Sequence, residues 1–100
     1  MDKIIDVIIP AFNEEESIGL VLKDIPEGLV RQVVVANNNS TDLTAEMARK
    51  GGAKVVFESE QGYGAACLKA VDFSLSSTPP PDILVFLDAD YSDHPEEMTD

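Results

Sequence analysis

The triplet Asp88-Ala89-Asp90 directly follows the apolar run Ile83 to Leu87. Two carboxylates one residue apart at the edge of a hydrophobic sheet repel each other unless a cation lies between them. With only oxygen donors on offer, the fitting ion is Mg²⁺ or Mn²⁺, which keeps open positions for the oxygens of a diphosphate. The alternative is a solvated turn in which an aspartate caps the next helix. The triplet by itself does not separate the two. A few residues on, Asp93, His94 and Glu96-Glu97 around Pro95 read as a helix start, with acids at the positive end of the macrodipole. His94, the one histidine, is either a metal ligand or a neighbour of that cap.

Two further segments carry unusual residues. Asn37-Asn38-Asn39 precedes Ser40, Thr41 and Asp42, all competent helix N-caps. Asparagine tolerates left-handed backbone and makes its own turns, but its amide also pairs with a nucleobase edge. Both readings stay open. Gly62-Tyr63-Gly64 opens a helical pattern, and its glycines would let backbone approach a ligand. It is not a dinucleotide fingerprint, which needs a third glycine where Cys67 stands and belongs after the first strand. Cys67 sits among small residues and reads as a packing residue. One histidine beside an acidic loop supports neither a Ser-His-Asp nor a Cys-His arrangement.

These segments need elements to hold them. Ile4 to Ile9, Val33 to Val35, Val55 to Phe57 and Ile83 to Leu87 are short β-branched runs, nearly continuous in apolarity, as expected of parallel strands covered on both faces. Between them, Ile18, Val21, Leu22 and Ile25 share one helical face. Thr44, Met47 and Ala48 predict a second helix, stopped at Gly51-Gly52. Leu68, Val71 and Leu75 predict a third, ended before Pro79-Pro80-Pro81, and a fourth begins near His94 to Glu97. This alternation predicts a three-layer α/β/α, Rossmann-like unit with a mainly parallel sheet spanning residues 1–100. Ligands bind such sheets beyond the carboxyl ends of the strands. The unusual residues fall there: Pro10-Ala11-Phe12-Asn13-Glu14, Asn37 to Asp42, Gln61 to Gly64, and Asp88 to Asp90.

Composition narrows the partners. Nineteen acids against seven Lys and Arg give a net charge of −12. The segment from Asp88 to Asp100 holds six of those acids and no Lys or Arg. Such a balance excludes nucleic acid as a partner and disfavours direct docking on anionic lipid. A single cysteine rules out an intrachain disulfide framework and suits a reducing compartment. No leader pattern opens the chain and no apolar stretch reaches membrane-span length, so a soluble, cytoplasmic protein is expected.

At its four strand tips the sequence resembles the family 2 glycosyltransferases of GT-A fold. The matching segments are VIIPAFNEEESI, VVVANNNSTDLTAEMA, QGYGAACLKAV and ILVFLDADYSDHP, in the family's order. Within the family it looks closest to the dolichyl-phosphate mannosyltransferase-like branch. The resemblance implies hexose transfer from a nucleoside diphosphate sugar, UDP-hexose favoured over GDP-mannose, to an acceptor such as a polyprenyl phosphate. It implies that Pro10, Ala11, Phe12 and Glu14 line the base and ribose pocket, with Asn37 where an aspartate commonly contacts the base. Gly62 would adjoin the nucleotide. Asp88 and Ala89 would lie near the ribose and metal, and Asp90, with Asp88, would bind Mg²⁺ or Mn²⁺. Tyr63 replaces a basic residue common in that branch, and Asp93 a histidine. The general base and acceptor contacts are expected beyond residue 100, so this chain is expected to be the donor half of a longer enzyme and inactive alone.

Two rival readings remain. A non-catalytic nucleotide-sugar-binding or scaffold module would keep the same pocket without an acceptor half. A phosphoreceiver-like domain would want acids at the first strand tip, where Pro10-Ala11-Phe12-Asn13 stands instead.

Overall fold

A computed structural model describes residues 3–90. The β-branched runs form four strands: β1 (Ile5–Ala11), β2 (Gln32–Asn37), β3 (Lys54–Phe57) and β4 (Ile83–Phe86). Helices α1 (Ile18–Lys23), α2 (Thr44–Lys50) and α3 (Tyr63–Leu75) alternate with them. All strand pairs are parallel, in the order β3-β2-β1-β4. The predicted α/β class and parallel sheet are therefore present. The helix expected near His94 lies outside the described residues.

The chain steps from β1 to β2 to β3, then returns to pair β4 on the other side of β1. Right-handed crossovers put helices on opposite faces when the direction of travel reverses. Accordingly, Ile18, Val21, Leu22 and Ala48 of α1 and α2 pack on Val7, Ile9 and Val35. On the opposite face, Ala66 and Ala70 of α3 pack on Ile8, Val34 and Ala36. Both faces of β1 are thus covered, which is why its sequence is apolar without alternation.

Two expectations change in detail. The face of α3 that meets the sheet is Ala66, Ala70 and Ser74, whereas Leu68 and Leu75 are exposed. Small residues at four-residue spacing let the helix backbone approach the sheet closely, so the leucines that predicted the helix do not seat it. Continuous apolarity likewise does not mean cover on both faces at β4. This strand is an edge, and Ile83, Val85 and Phe86 are exposed. Among the described residues no helix is long and apolar enough to cross a membrane.

One charge lies inside. Asp6, on β1, is fully buried and is met by Arg31 through Nε at 3.0 Å and Nη2 at 2.8 Å. Gln32 Nε2 at 2.8 Å and the Ser74 hydroxyl at 2.5 Å also donate to it. Desolvation would raise its pKa, but the hydrogen bonds from Arg31, Ser74 and Gln32 win and hold it below the ordinary carboxylate value. A lowered folded pKa means the stabilisation is present above the unfolded value and is lost as pH falls towards the folded one. Arg31→Ala, which leaves the carboxylate buried with weaker partners, is expected to cost about 3 kcal/mol in urea unfolding at pH 7. The wild type should lose stability as pH falls below about 4, whereas the variant, whose Asp6 carboxyl is held down less, should lose less over that range, so that the gap between the two narrows in acid.

Candidate functional site

The tip of β1 continues from Pro10 into a turn at Asn13, which takes a positive φ of 53°. This turn is tied to the start of α2. Asn13 N–H donates to Ser40 Oγ at 2.9 Å, and Thr41 N–H returns to Asn13 Oδ1 at 2.8 Å. Glu14 N–H donates to the buried Thr44 hydroxyl at 2.8 Å. Glu15 and Asp42 cap each other's backbone: Leu43 N–H donates to Glu15 Oε1 at 3.0 Å, and Glu15 N–H to Asp42 Oδ2 at 3.3 Å. Desolvation would raise the Asp42 carboxyl, but donors from Thr44 and the Glu15 amide hold it below its ordinary value. The N-cap position of α2 falls to Leu43 rather than to Ser40, Thr41 or Asp42, although Asp42 Oδ1 accepts Thr44 N–H at 2.9 Å beside it.

The asparagine triplet is largely structural. Asn37 is buried and its Oδ1 accepts Ser40 N–H at 3.1 Å. Asn38 gives both amide hydrogens to the carbonyls of Glu58 and Glu60, at 2.9 and 2.8 Å, and its Oδ1 accepts Gly62 N–H at 3.0 Å. Asn39 takes a φ of 66° and donates to the Ser59 carbonyl at 2.7 Å. The β2 tip thereby fixes the segment that leads into α3.

A cleft of about 410 Å³ opens where these segments meet β4, lined by Pro10, Ala11, Phe12, Glu14, Asn38, Tyr63, Ala66, Asp88, Ala89 and Asp90. It lies at the point where strand order reverses, between the tips of β1 and β4. Of the sequence candidates, Pro10, Ala11, Phe12, Glu14, Asp88, Ala89 and Asp90 share this cleft. Asn37 and Gly62 do not line it. In register, Ala11 pairs with Asn37. Successive residues point to opposite faces, so Asn38 falls on the α3 side with Pro10 and Ala36, and Asn37 falls on the other. Strand parity alone would have selected Asn38. Gly62 serves conformation: its φ is 129°, and a Cβ there would meet nothing within 4 Å.

The wall chemistry is acidic. Glu14, Asp88 and Asp90 contribute carboxylates, and among the described residues no Lys or Arg lines the cleft. The Tyr63 hydroxyl lies 3.4 Å from Asp88 Oδ1. Desolvation, with the negative charge of Cys67 and Asp88, pushes the Tyr63 phenol up. Burial likewise pushes the Cys67 thiol up, which suits a packing role rather than a nucleophile. The donor set is all oxygen and so fits a hard divalent cation. Among the described residues no group of three His, Cys, Asp or Glu is arranged to hold a metal ion. Asp93 and His94 lie outside the described residues.

A parallel α/β unit with an oxygen-lined cleft at its switch point is a Rossmann-like ligand-binding domain. More particularly, the chain belongs to glycosyl transferase family 2, whose sequence profile matches residues 6–100. An uncharacterized glycosyltransferase of Mycobacterium tuberculosis is 44% identical over 88 residues, 88% of this chain and 37% of that protein. The dolichyl-phosphate hexose transferase of Haloferax volcanii is 46% identical over 68 residues, 65% of this chain and 29% of that enzyme. Glucosyl-3-phosphoglycerate synthase from M. tuberculosis, solved with Mn²⁺, UDP and glucosyl-3-phosphoglycerate, matches with a TM-score of 0.74 at 33% identity. That match covers 87% of this chain and 33% of the synthase. The same synthase has been solved with Mn²⁺ and UDP-glucose, and with Mg²⁺ and UDP. The fold is that of the N-terminal part of a GT-A domain, and the chain spans about a third of the length of these relatives.

The backbone geometry yields a direct test. Asn38→Ala, which removes three hydrogen bonds at a buried position, is expected to cost about 2–3 kcal/mol. Gly62→Ala should cost about 1–3 kcal/mol through backbone strain alone, since the space is open. Urea unfolding of both variants measures the two losses.

Proposed function

We propose that this chain forms the donor-binding half of a glycosyltransferase that moves a hexose from a nucleoside diphosphate sugar to an acceptor. The observation that carries this reading is the convergence of Asp88, Ala89 and Asp90 with Pro10, Phe12 and Glu14 on one cleft. A diphosphate does not enter a wall of three carboxylates without a cation between them. Asp90 and Asp88 would hold Mg²⁺ or Mn²⁺, and the bound ion supplies stabilisation of the charge that develops on the leaving diphosphate. Pro10, Ala11 and Phe12 would line the base side, Phe12 offering an exposed ring to stack on it. Glu14 and Asp88 would face the ribose. No residue of this chain is assigned as general base.

UDP is the nucleotide we favour, supported by the likeness to the synthase solved with UDP and UDP-glucose. A polyprenyl phosphate acceptor, in the manner of the dolichyl-phosphate mannosyltransferase-like branch, draws support from the likeness to the haloarchaeal hexose transferase. Tyr63 brings no charge to the cleft, so the cation carries the neutralisation that a basic residue would share.

Calorimetric titration of UDP tests the reading. Binding should require Mn²⁺ or Mg²⁺, and Asp90→Ala should weaken it at least tenfold, a loss of about 1.4 kcal/mol or more. Binding of equal strength in EDTA, or unchanged in Asp90→Ala, would sink the proposal.

A further inference from the structure

Beyond Leu87 the chain leaves the sheet. Leu87 N–H donates to the Ile8 carbonyl at 3.1 Å, and the next residues turn away from β1. The segment that carries Asp88 and Asp90 therefore needs anchors outside the strand ladder. The methyl group of Ala89 is one, buried in the core with Ile18 and Ala11. Another anchor is a hydroxyl 72 residues away in sequence: Ser17 Oγ lies 2.6 Å from the Ala89 carbonyl oxygen. The same Oγ lies 2.8 Å from Glu14 Oε2.

Ser17 is itself fixed. Its N–H donates to the Glu14 carbonyl at 3.1 Å, and its own carbonyl accepts Val21 N–H at 3.0 Å in the first turn of α1. Ile18 beside it is fully buried. A short, stiffly mounted side chain thus joins the two acidic walls of the cleft. The Ala89 carbonyl belongs to the planar peptide unit that also contains the nitrogen and Cα of Asp90. Holding that oxygen sets the direction in which the Asp90 side chain leaves the backbone. The hydroxyl has a single hydrogen and faces two acceptor oxygens, so the Glu14 carboxylate and the Ala89 carbonyl share one donor.

We propose that Ser17 is a positioning residue for the Asp88-Ala89-Asp90 turn, orienting Asp90 through the Ala89 carbonyl and coupling it to Glu14. Its effect on cation-dependent nucleotide binding rests on the reading above, whereas its hold on the turn does not. The test accordingly has two arms, run on the full chain as Ser17→Ala and Ser17→Thr. In metal-free protein, amide hydrogen exchange across residues 87–90 should speed up about tenfold in Ser17→Ala, with β1 and β2 unchanged. Thr keeps the hydroxyl and should restore the wild-type rate. In UDP titrations with Mn²⁺ present, Ser17→Ala should lose about tenfold in affinity, while Ser17→Thr stays within about twofold of the wild type.

Exchange unchanged in Ser17→Ala overturns the inference, as does UDP affinity unchanged in Ser17→Ala with Mn²⁺ present. Failure of Thr to restore either readout overturns it too. A wild-type protein whose UDP binding ignores Mn²⁺ overturns the functional reading and the binding role of Ser17 with it. In that event exchange still decides whether Ser17 holds the turn.

Discussion

The buried carboxylate of Asp6 is the interaction on which the rest of the structure depends. It stands on the central strand at the end opposite the cleft, with no exposed surface. A charge there is tolerable only with strong donors on every side. Those donors come from distant parts of the chain: Arg31 and Gln32 at the entry to β2, and Ser74 near the end of α3. Arg31 also donates to the Pro79 carbonyl in the loop that leads to β4. Asp82 completes that loop, accepting Ile4 N–H at 2.7 Å. The network therefore marks the place where the chain, having gone outward through β3, comes back to β1. That return produces the reversal in strand order, and the reversal produces the cleft.

The two ends of β1 solve opposite electrostatic problems. At Asp6 one negative charge is met by a guanidinium and neutral donors inside the protein. At the cleft, Glu14, Asp88 and Asp90 face one opening with no basic side chain among the lining residues. The protein thus supplies a guanidinium to the structural carboxylate, whereas the described lining of the cleft gathers three carboxylates. The −12 counted over the chain is not a uniform surface property. Part is used in capping, as with Glu15 and Asp42, and part is gathered on the wall where a cation fits.

Much of this was legible in the residues. β-Branched runs separated by helical periodicity specify a parallel α/β sheet, and the polar strand tips specify its working edge. What was not legible followed from geometry across strands. Asp6 reads in sequence only as an interruption of an apolar run, since its partners lie on other elements. Asn37 stood out by its place at a strand tip, yet one step of strand parity puts Asn38 on the cleft side instead. Leu68 and Leu75 signalled a helix correctly but not its buried face, because close packing on the sheet favours Ala66, Ala70 and Ser74. Ser17 lies inside the VIIPAFNEEESI segment without standing out there. Its importance appears only when the β4 tip is brought against the start of α1.

The asparagine triplet shows how scaffold and site share the same residues. Both amide hydrogens of Asn38 are engaged by carbonyls, and its oxygen takes the Gly62 amide. A side chain so committed cannot offer its N–H groups to a ligand without releasing the segment that leads into α3. Its contribution to the cleft is therefore shape: it sets where Gly62 turns and where Tyr63 begins the helix beside Asp88. Discrimination by hydrogen bonding must then come from groups whose capacity the fold leaves open. Phe12, the first residue past the end of β1, has an exposed ring, whereas the Ala11 carbonyl before it already accepts Asn38 N–H at 2.8 Å. The rigidity of that stretch comes from Asn13, Glu14 and Thr44 just beyond it. On the proposed reading, recognition in this cleft would rest on the Phe12 ring on one wall and carboxylates on the other, with the asparagines holding the loops between them.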